Sequence, residues 1–214
     1  MGKIIVKTLV VGQLSTNCYL VIDKTSAKAL VIDPGDDADY IIRILTDLDI
    51  KPTKIIATHA HFDHILAATE LKMAFDIPFL IHRKDEFLLE RMQSSSLHFI
   101  GVKPDPKPKV DEYLEEKTKI DLGKYTFTVL ETPGHTPGSI SVYNAKENIL
   151  FSGDLVFQGG SVGRIDYSYS NISDLKNSIK KILGYPNKTL IYSGHGEITT
   201  IGSEANYLKK FVQF

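Results

Sequence analysis

Lys54-Ile55-Ile56-Ala57-Thr58-His59-Ala60-His61-Phe62-Asp63-His64 decides how this chain is read. The short run at 54–58 reads as a strand, and it ends directly on three histidines and a carboxylate packed within six residues. Imidazole and carboxylate together suit zinc, iron or manganese, and an ordinary core has no use for them at this density. In an extended segment alternate side chains share a face, so His59 and His61 point the same way and can hold one ion. Asp63 and His64 come next, at the start of the following helix, and face a second ion.

Two ions ask for a further histidine each and a carboxylate between them. The chain supplies His135 in Thr132-Pro133-Gly134-His135-Thr136-Pro137-Gly138, Asp154 in Ser152-Gly153-Asp154, and His195 in Ser193-Gly194-His195-Gly196. Each follows an expected strand, where a rigid element can position a loop ligand, and the glycines permit close backbone approach. A single histidine beside glycine is ordinarily a turn residue; the dense cluster upstream is what makes these three ligand candidates. Five of the seven histidines are used in this way, and His82 and His98 are read as solvated or packing side chains.

Outward from the cluster, strand and helix patterns alternate, the sign of an α/β chain. Strands are expected at 4–11, 18–23 and 29–33, after which Asp33-Pro34-Gly35-Asp36 breaks the chain. A helix follows with Ile41, Ile42, Leu45 and Leu48 on one face and Pro52 beyond its end. Beyond the cluster come a helix at 65–75, a strand at 78–82 and a helix at 84–92 that leads into a loop. Alternating proline in Lys103-Pro104-Asp105-Pro106-Lys107-Pro108-Lys109 forbids helix and marks a surface loop rather than a linker. The second half repeats the pattern: hairpins at 117–121 with 125–131 and at 139–143 with 149–152, then a helix at 172–183 capped by Ser170 or Asn171. A strand at 189–193 and a helix at 204–211 close it. Two similar halves, without a detectable sequence repeat, predict two packed sheets with helices outside, in one domain spanning 1–214.

The bulk numbers narrow the function classes. Of 214 residues, 43% are hydrophobic and 24% charged, enough for a substantial core. Twenty-five basic against 26 acidic residues leave a net charge of −1, with no electrostatic case for nucleic acid or a membrane surface. Cys18 is the only cysteine, so no internal disulfide is possible, which favours the cytoplasm. No signal peptide or membrane helix is indicated. The expected partner is a small-molecule substrate, for a monomer or a homodimer.

His-x-His-x-Asp-His followed by Gly-His, Gly-Asp and Gly-His-Gly resembles the metallo-β-lactamase superfamily across nearly the whole chain. Asp33, in Val31-Ile32-Asp33-Pro34-Gly35, matches that superfamily's first motif, an aspartate that supports the ligands from behind. The resemblance implies an αββα four-layer sandwich of two mixed sheets. It also implies one metal on His59, His61 and His135, another on Asp63, His64 and His195, and Asp154 as the bridge. Thr132 to Ser139, Gly153-Asp154-Leu155-Val156-Phe157 and Gly163-Arg164-Ile165-Asp166 are similar to the glyoxalase II (hydroxyacylglutathione hydrolase) branch. That branch implies hydrolysis of a thioester or related ester at two divalent ions, zinc before iron or manganese, with Asp63 and Asp154 as the catalytic carboxylates. No Ser-His-Asp triad is required, and no Gly-x-Ser-x-Gly elbow is present.

The chain departs from the animal and plant enzymes in two respects. They carry a C-terminal helical region that helps bind glutathione, whereas this chain stops about twenty residues after His195. They also place a lysine and a nearby tyrosine after the bridging aspartate, where Arg164 and Asp166 stand here. Arg164 is either a fork for a substrate carboxylate or a structural partner of Asp166. A short glyoxalase II-like hydrolase is therefore expected. The rival is a persulfide dioxygenase-like oxidoreductase, which resembles the same branch but uses one iron on the equivalents of His59, His135 and Asp154. A nuclease reading lacks an added domain and a basic surface. A β-lactamase reading fits poorly because those enzymes replace the Asp63–His64 chemistry or are secreted.

Overall fold

The computed structural model describes residues 4–213. The first half runs β1 (Ile4–Val11), β2 (Thr16–Asp23), β3 (Lys28–Ile32), α1 (Ala38–Asp47), β4 (Lys51–Ile56), α2 (Ala68–Phe75), β5 (Phe79–His82), α3 (Glu86–Glu90), α4 (Met92–Ile100) and β6 (Glu112–Leu114). The second runs β7 (Lys119–Leu122), β8 (Tyr125–Glu131), β9 (Ile140–Asn144), β10 (Ile149–Gly153), α5 (Ile172–Ile182), β11 (Leu190–Ser193), β12 (Thr199–Thr200) and α6 (Ile201–Gln213). Each half forms a six-stranded sheet, in the order β1-β2-β3-β4-β5-β6 and β12-β11-β10-β9-β8-β7. Both sheets are mixed. Hairpins make β1 to β3 antiparallel, and helical crossovers make β3 to β6 parallel. In the second sheet only β10 and β11, joined through α5, run parallel.

The period-2 alternation of each strand explains the layering. Tyr19 and Val21 of β2 point inward to meet Phe127, Phe151 and Tyr192 of the opposite sheet, and Tyr19 packs 5.3 Å from Phe151, centroid to centroid. Cys18, Leu20 and Ile22 of the same strand point outward and are covered by Ile41 and Leu45 of α1 and Leu71 of α2. With both faces buried, the middle of β2, Cys18 to Ile22, reads as a continuous apolar run rather than an alternating one. Leu175, Ile179 and Ile182 of α5, with Leu208 of α6, cover the outer face of the second sheet. This is the expected αββα sandwich. Burial holds the Cys18 thiol far above its ordinary pKa, so it is an inert packing group.

The structure differs from the sequence reading at several joints. Pro52 lies beyond the end of α1 as expected, but inside β4, which starts at Lys51 rather than Lys54, and the register to β3 shifts there between Ala29 and Leu30. The shift absorbs proline's missing N–H, and the Thr53 hydroxyl donates to the Ala29 carbonyl at 3.0 Å. The helix expected at 84–92 is a 3₁₀ turn at Arg83–Asp85 followed by α3 and then α4, which continues to Ile100. Gln93-Ser94-Ser95-Ser96 is a poor helix former. Buried Met92 holds the segment, and the Ser96 hydroxyl ties it to the Val102 carbonyl at 2.8 Å. The Pro-rich loop is pinned by Gln93 Nε2 to the Pro104 carbonyl and Thr69 Oγ1 to the Pro106 carbonyl. β6 and β12 are too short to leave a pattern. Finally, Asp63 and His64 belong to a separate 3₁₀ turn, Phe62–His64, and α2 starts only at Ala68.

Candidate metal centre

The loops after β4, β8, β10 and β11 converge at one end of the sandwich, and with them all seven ligand candidates. His59 follows β4, His135 follows β8, Asp154 follows β10 and His195 follows β11. Three groups of donor atoms lie within 4.8 Å of one another: His59 with His61 and His135, His59 with His64 and Asp154, and Asp63 with His64 and His195. Asp154 faces both sides. Its Oδ1 is 3.6 Å from His64 Nε2, while Oδ2 is 3.6 Å from His135 Nε2 and 3.8 Å from His195 Nε2. Asp63 Oδ2 lies 3.4 Å from His195 Nε2 and 3.7 Å from His64 Nε2.

Surrounding groups set the tautomers. Thr58 Oγ1 donates to Asp33 Oδ2 at 2.7 Å, so it accepts from His59 Nδ1–H at 3.2 Å and leaves His59 Nε2 bare. His64 Nδ1–H donates to the same Asp33 oxygen at 3.1 Å, and His135 Nδ1–H donates to the Arg164 carbonyl at 2.8 Å. Asp33 thus stands where the sequence motif put it, behind two ligand candidates, and it also accepts from Thr58 N at 2.7 Å. His61 Nδ1 lies 3.1 Å from His59 Nε2 and 3.0 Å from His135 Nε2. With His61 Nε2–H donated to the Tyr169 hydroxyl at 2.8 Å, three imidazole lone pairs converge on one point. Nothing in the protein satisfies them all. Buried His64 Nε2 and Asp154 Oδ1 likewise lack a hydrogen-bond partner. Converging bare nitrogens and orphaned buried acceptors of this N/O type fit divalent cations.

The electrostatics divide in the same way. Burial, reinforced by neighbouring imidazoles, pushes His59 well below its ordinary value; burial and His135 push His61 down to about 3, despite Asp63. Both imidazoles are neutral at pH 7, the form a metal ligand needs. His64 goes the other way: burial opposes its charge, but Asp154, Asp63 and Asp33 outweigh that and raise it to about 10. Asp63, against its own burial, is held well below the carboxylate range by His64 and His195. The pocket around His64 therefore wants a positive charge. With folded pKa above the unfolded value, His64 contributes stability to metal-free protein in full below pH of about 6.5, and the contribution fades toward pH 10. Chelator-treated protein should accordingly lose melting temperature between pH 7 and 10. Metal-loaded protein should lose less, because the cation takes the proton's place. Parallel melts with EDTA and with added zinc check this, and identical slopes would count against a cation at His64.

Close packing makes the site possible. Gly194 must lack a side chain, because a Cβ there would overlap Asp154 Oδ1 and press His64 Cε1 at 2.7 Å. Gly153 adopts φ 53°, and a Cβ would strike Thr58 Oγ1. The His195 loop is clamped from the other sheet by Asn17, whose Nδ2 donates to the Ser193 and Gly196 carbonyls at 3.0 and 2.9 Å. Asn171 caps α5 through Ser173 N and Asp174 N, and its own N–H donates to the Gly134 carbonyl at 2.8 Å beside His135.

Several residues escaped the sequence reading. Asp85 is fully buried and accepts from Ala60 N, Thr136 Oγ1 and Gly138 N at 3.1, 2.7 and 2.6 Å, joining the His59–His64 loop to the His135 loop. In Arg83-Lys84-Asp85-Glu86 it looks like one charge on a solvated face, and no local signal marks it. Tyr167 and Tyr169, which follow Asp166 in the chain, stack 5.2 Å apart at 8° beside His61. Arg164 gives both Nε and Nη2 to Asp166 at 3.0 and 2.7 Å; its backbone carbonyl, not its side chain, is what touches His135. His82 and His98 lie outside the three donor groups: His82 is buried against Glu131 at 3.3 Å, and His98 packs edge-on to Phe99. Removing the hydroxyl in Tyr169→Phe frees His61 to turn over its tautomer and should weaken metal binding about tenfold. Competition with a chromophoric chelator reads that change.

A cleft of about 630 Å³ opens over these donors, with His61, Asp63, His135, Asp154 and His195 in its floor. Comparison with known proteins now adds independent findings. A family model described as "Metallo-beta-lactamase superfamily" matches residues 11–195. "Hydroxyacylglutathione hydrolase GloC" of Haemophilus influenzae is 33% identical over 207 residues, 93% of this chain and 94% of that protein. Among solved structures, BLEG-1, described as a B3 metallo-beta-lactamase, superposes with a TM-score of 0.87 at 38% identity, covering 94% of this chain and 97% of that one. TTHA1623 in a di-iron-bound form gives 0.85 at 35% identity, with 94% and 98% covered. ETHE1 from Myxococcus xanthus gives 0.78 at 26%, with 98% and 85% covered. Among the described residues no helix is long and apolar enough to cross a membrane.

Proposed function

The chain belongs to the metallo-beta-lactamase superfamily, and from that premise we propose that it is a two-metal hydrolase cleaving a thioester of the hydroxyacylglutathione kind or a related ester. The observation that carries the reading is the pair of donor sets sharing Asp154, with their bare nitrogens already fixed. His59, His61 and His135 would hold one cation, Asp63, His64 and His195 the other, and Asp154 both. Zinc is the expected metal, and the likeness to a di-iron protein keeps iron in the test. Bound there, the cations would supply Lewis acidity toward a carbonyl and a water of lowered pKa.

The protein's own part is electrostatic and positional. Asp33 and the Arg164 carbonyl keep His64 and His135 in the tautomers that expose Nε2, and the Tyr169 hydroxyl keeps His61 in the one that exposes Nδ1. Thr16 Oγ1 donates to Asp63 Oδ2 at 3.3 Å and steadies that carboxylate. Phe62, Phe99 and Phe157 line the cleft and keep water from its walls. We place this activity in one cytoplasmic domain, as monomer or homodimer, acting on a small molecule; the single buried Cys18, with no disulfide to form, accords with that setting.

A second reading, to which the ETHE1 likeness lends some support, has one iron on His59, His135 and Asp154 and oxidises a persulfide with oxygen. The likeness to a protein described as a B3 metallo-beta-lactamase adds β-lactams to the panel, against the sequence expectation. Metal analysis of purified protein, followed by thioester, lactone, β-lactam and persulfide assays in an oxygen-electrode cell, separates the three. Thioester turnover without oxygen uptake supports the proposal. Oxygen uptake on glutathione persulfide with thioesters inert assigns the dioxygenase, and β-lactam cleavage alone assigns the third.

A further inference from the structure

The cleft has a second end that the metal ligands do not use. α3 and α4 raise a wall there, with Leu88, Arg91, Ser95 and Phe99 facing the cavity, and Phe62 opposite. Phe62 and Phe99 stack at 5.9 Å and 8°, forming an apolar shelf, and Phe99 keeps 53% of its surface exposed. Arg91 stands at the junction of the two helices. Its backbone is fixed by Arg91 N to the Leu88 carbonyl at 3.0 Å, and its own carbonyl accepts from Ser95 N and Ser94 Oγ at 2.8 and 2.9 Å.

The two arginines of the cleft differ in one decisive respect. Arg164 has its fork filled by both oxygens of Asp166. Arg91 makes no ion pair among the described residues; its guanidinium rests over the Phe87 ring, 5.3 Å from the centroid. Phe87 in turn packs edge-on to Tyr169 at 5.3 Å, and Tyr169 contacts His61. An unpaired fork, on a rigid turn, beside an apolar shelf and two rings away from a candidate ligand, is built for an anion carried on a short apolar arm.

We propose that Arg91 is the specificity-determining residue of this cleft, binding a carboxylate at the far end of the substrate while the Phe62–Phe99 shelf holds the connecting chain. The turnover readout rests on the thioester reading. Lactoyl thioesters of ω-mercaptoalkanoic acids with two to six methylenes would be compared, each with its carboxamide twin, on metal-loaded protein. The wild type should favour acid over amide at least tenfold in kcat/KM at one spacer length, chiefly through KM. Arg91→Gln should bring that ratio close to one, Arg91→Lys should retain part of it, and Arg164→Gln should leave the ratio in place. A preference that survives Arg91→Gln, one that Arg164→Gln abolishes, or none at any length in the wild type overturns the proposal. If no thioester turns over, the thioester reading has failed, and calorimetry with the S-methyl thioether twins decides Arg91 separately. Acid-over-amide binding that Arg91→Gln removes supports the subsite, and equal binding by wild type and variant overturns it.

Discussion

Asp154→Ala should abolish the shared site: metal content below one equivalent per chain and turnover reduced about 10³-fold. Among the described residues Asp154 is the single carboxylate within 4 Å of His64, His135 and His195 together, so its loss opens both donor groups at once. Its Oδ1 is buried without a hydrogen-bond partner among the described residues, a desolvated acceptor that a divalent cation would satisfy. Asp154→Asn is the sharper companion. It keeps the shape beside Gly194 and removes the charge, so it should also lose metal while melting close to the metal-free wild type. Elemental analysis, a thioester rate and a thermal melt are sufficient. Two full equivalents of metal in either variant, with an unchanged rate, would remove Asp154 from the site.

Asp85→Ala should cost about 3 kcal/mol of stability, since it strands two buried backbone N–H groups and leaves the Thr136 hydroxyl only Ser139 Oγ. For a chain of this size that is a melting-temperature drop of roughly 6–12 °C. Metal affinity should fall about 10- to 100-fold as well, because Ala60 sits between His59 and His61 and Thr136 follows His135. The effect is transmitted, as Asp85 touches no ligand candidate directly. Calorimetric melts of metal-free protein separate the structural loss from the loss of metal. A variant that melts within about 2 °C of the wild type and binds metal normally would show that the two loops hold each other without it.

How much of this was written in the residues depends on the range of the interaction. The ligand candidates were legible because six consecutive residues, His59 to His64, already hold four donors, and because His135, Asp154 and His195 each carry flanking glycines. The two-sheet architecture was legible from the strand-and-helix pattern that the second half repeats, each half holding enough strands for a sheet of its own. Asp85 was not legible, since its three partners lie 25 to 53 positions away and its neighbours are charged. α4 was not legible either: its serines favour caps and turns, and what holds them helical is Met92 in the core and the Ser96 bond to Val102.

By itself, then, the sequence determined the donor chemistry, the sandwich and the strand ends on which the donors sit, since all three follow from local periodicity and residue type. The tertiary structure alone decided which nitrogens are bare, that Asp154 faces both donor groups, that Arg164 is occupied by Asp166, and that Arg91 makes no ion pair among the described residues. Those facts depend on contacts between segments distant in the chain, where hydrogen-bond geometry and burial, rather than propensity, choose the partner.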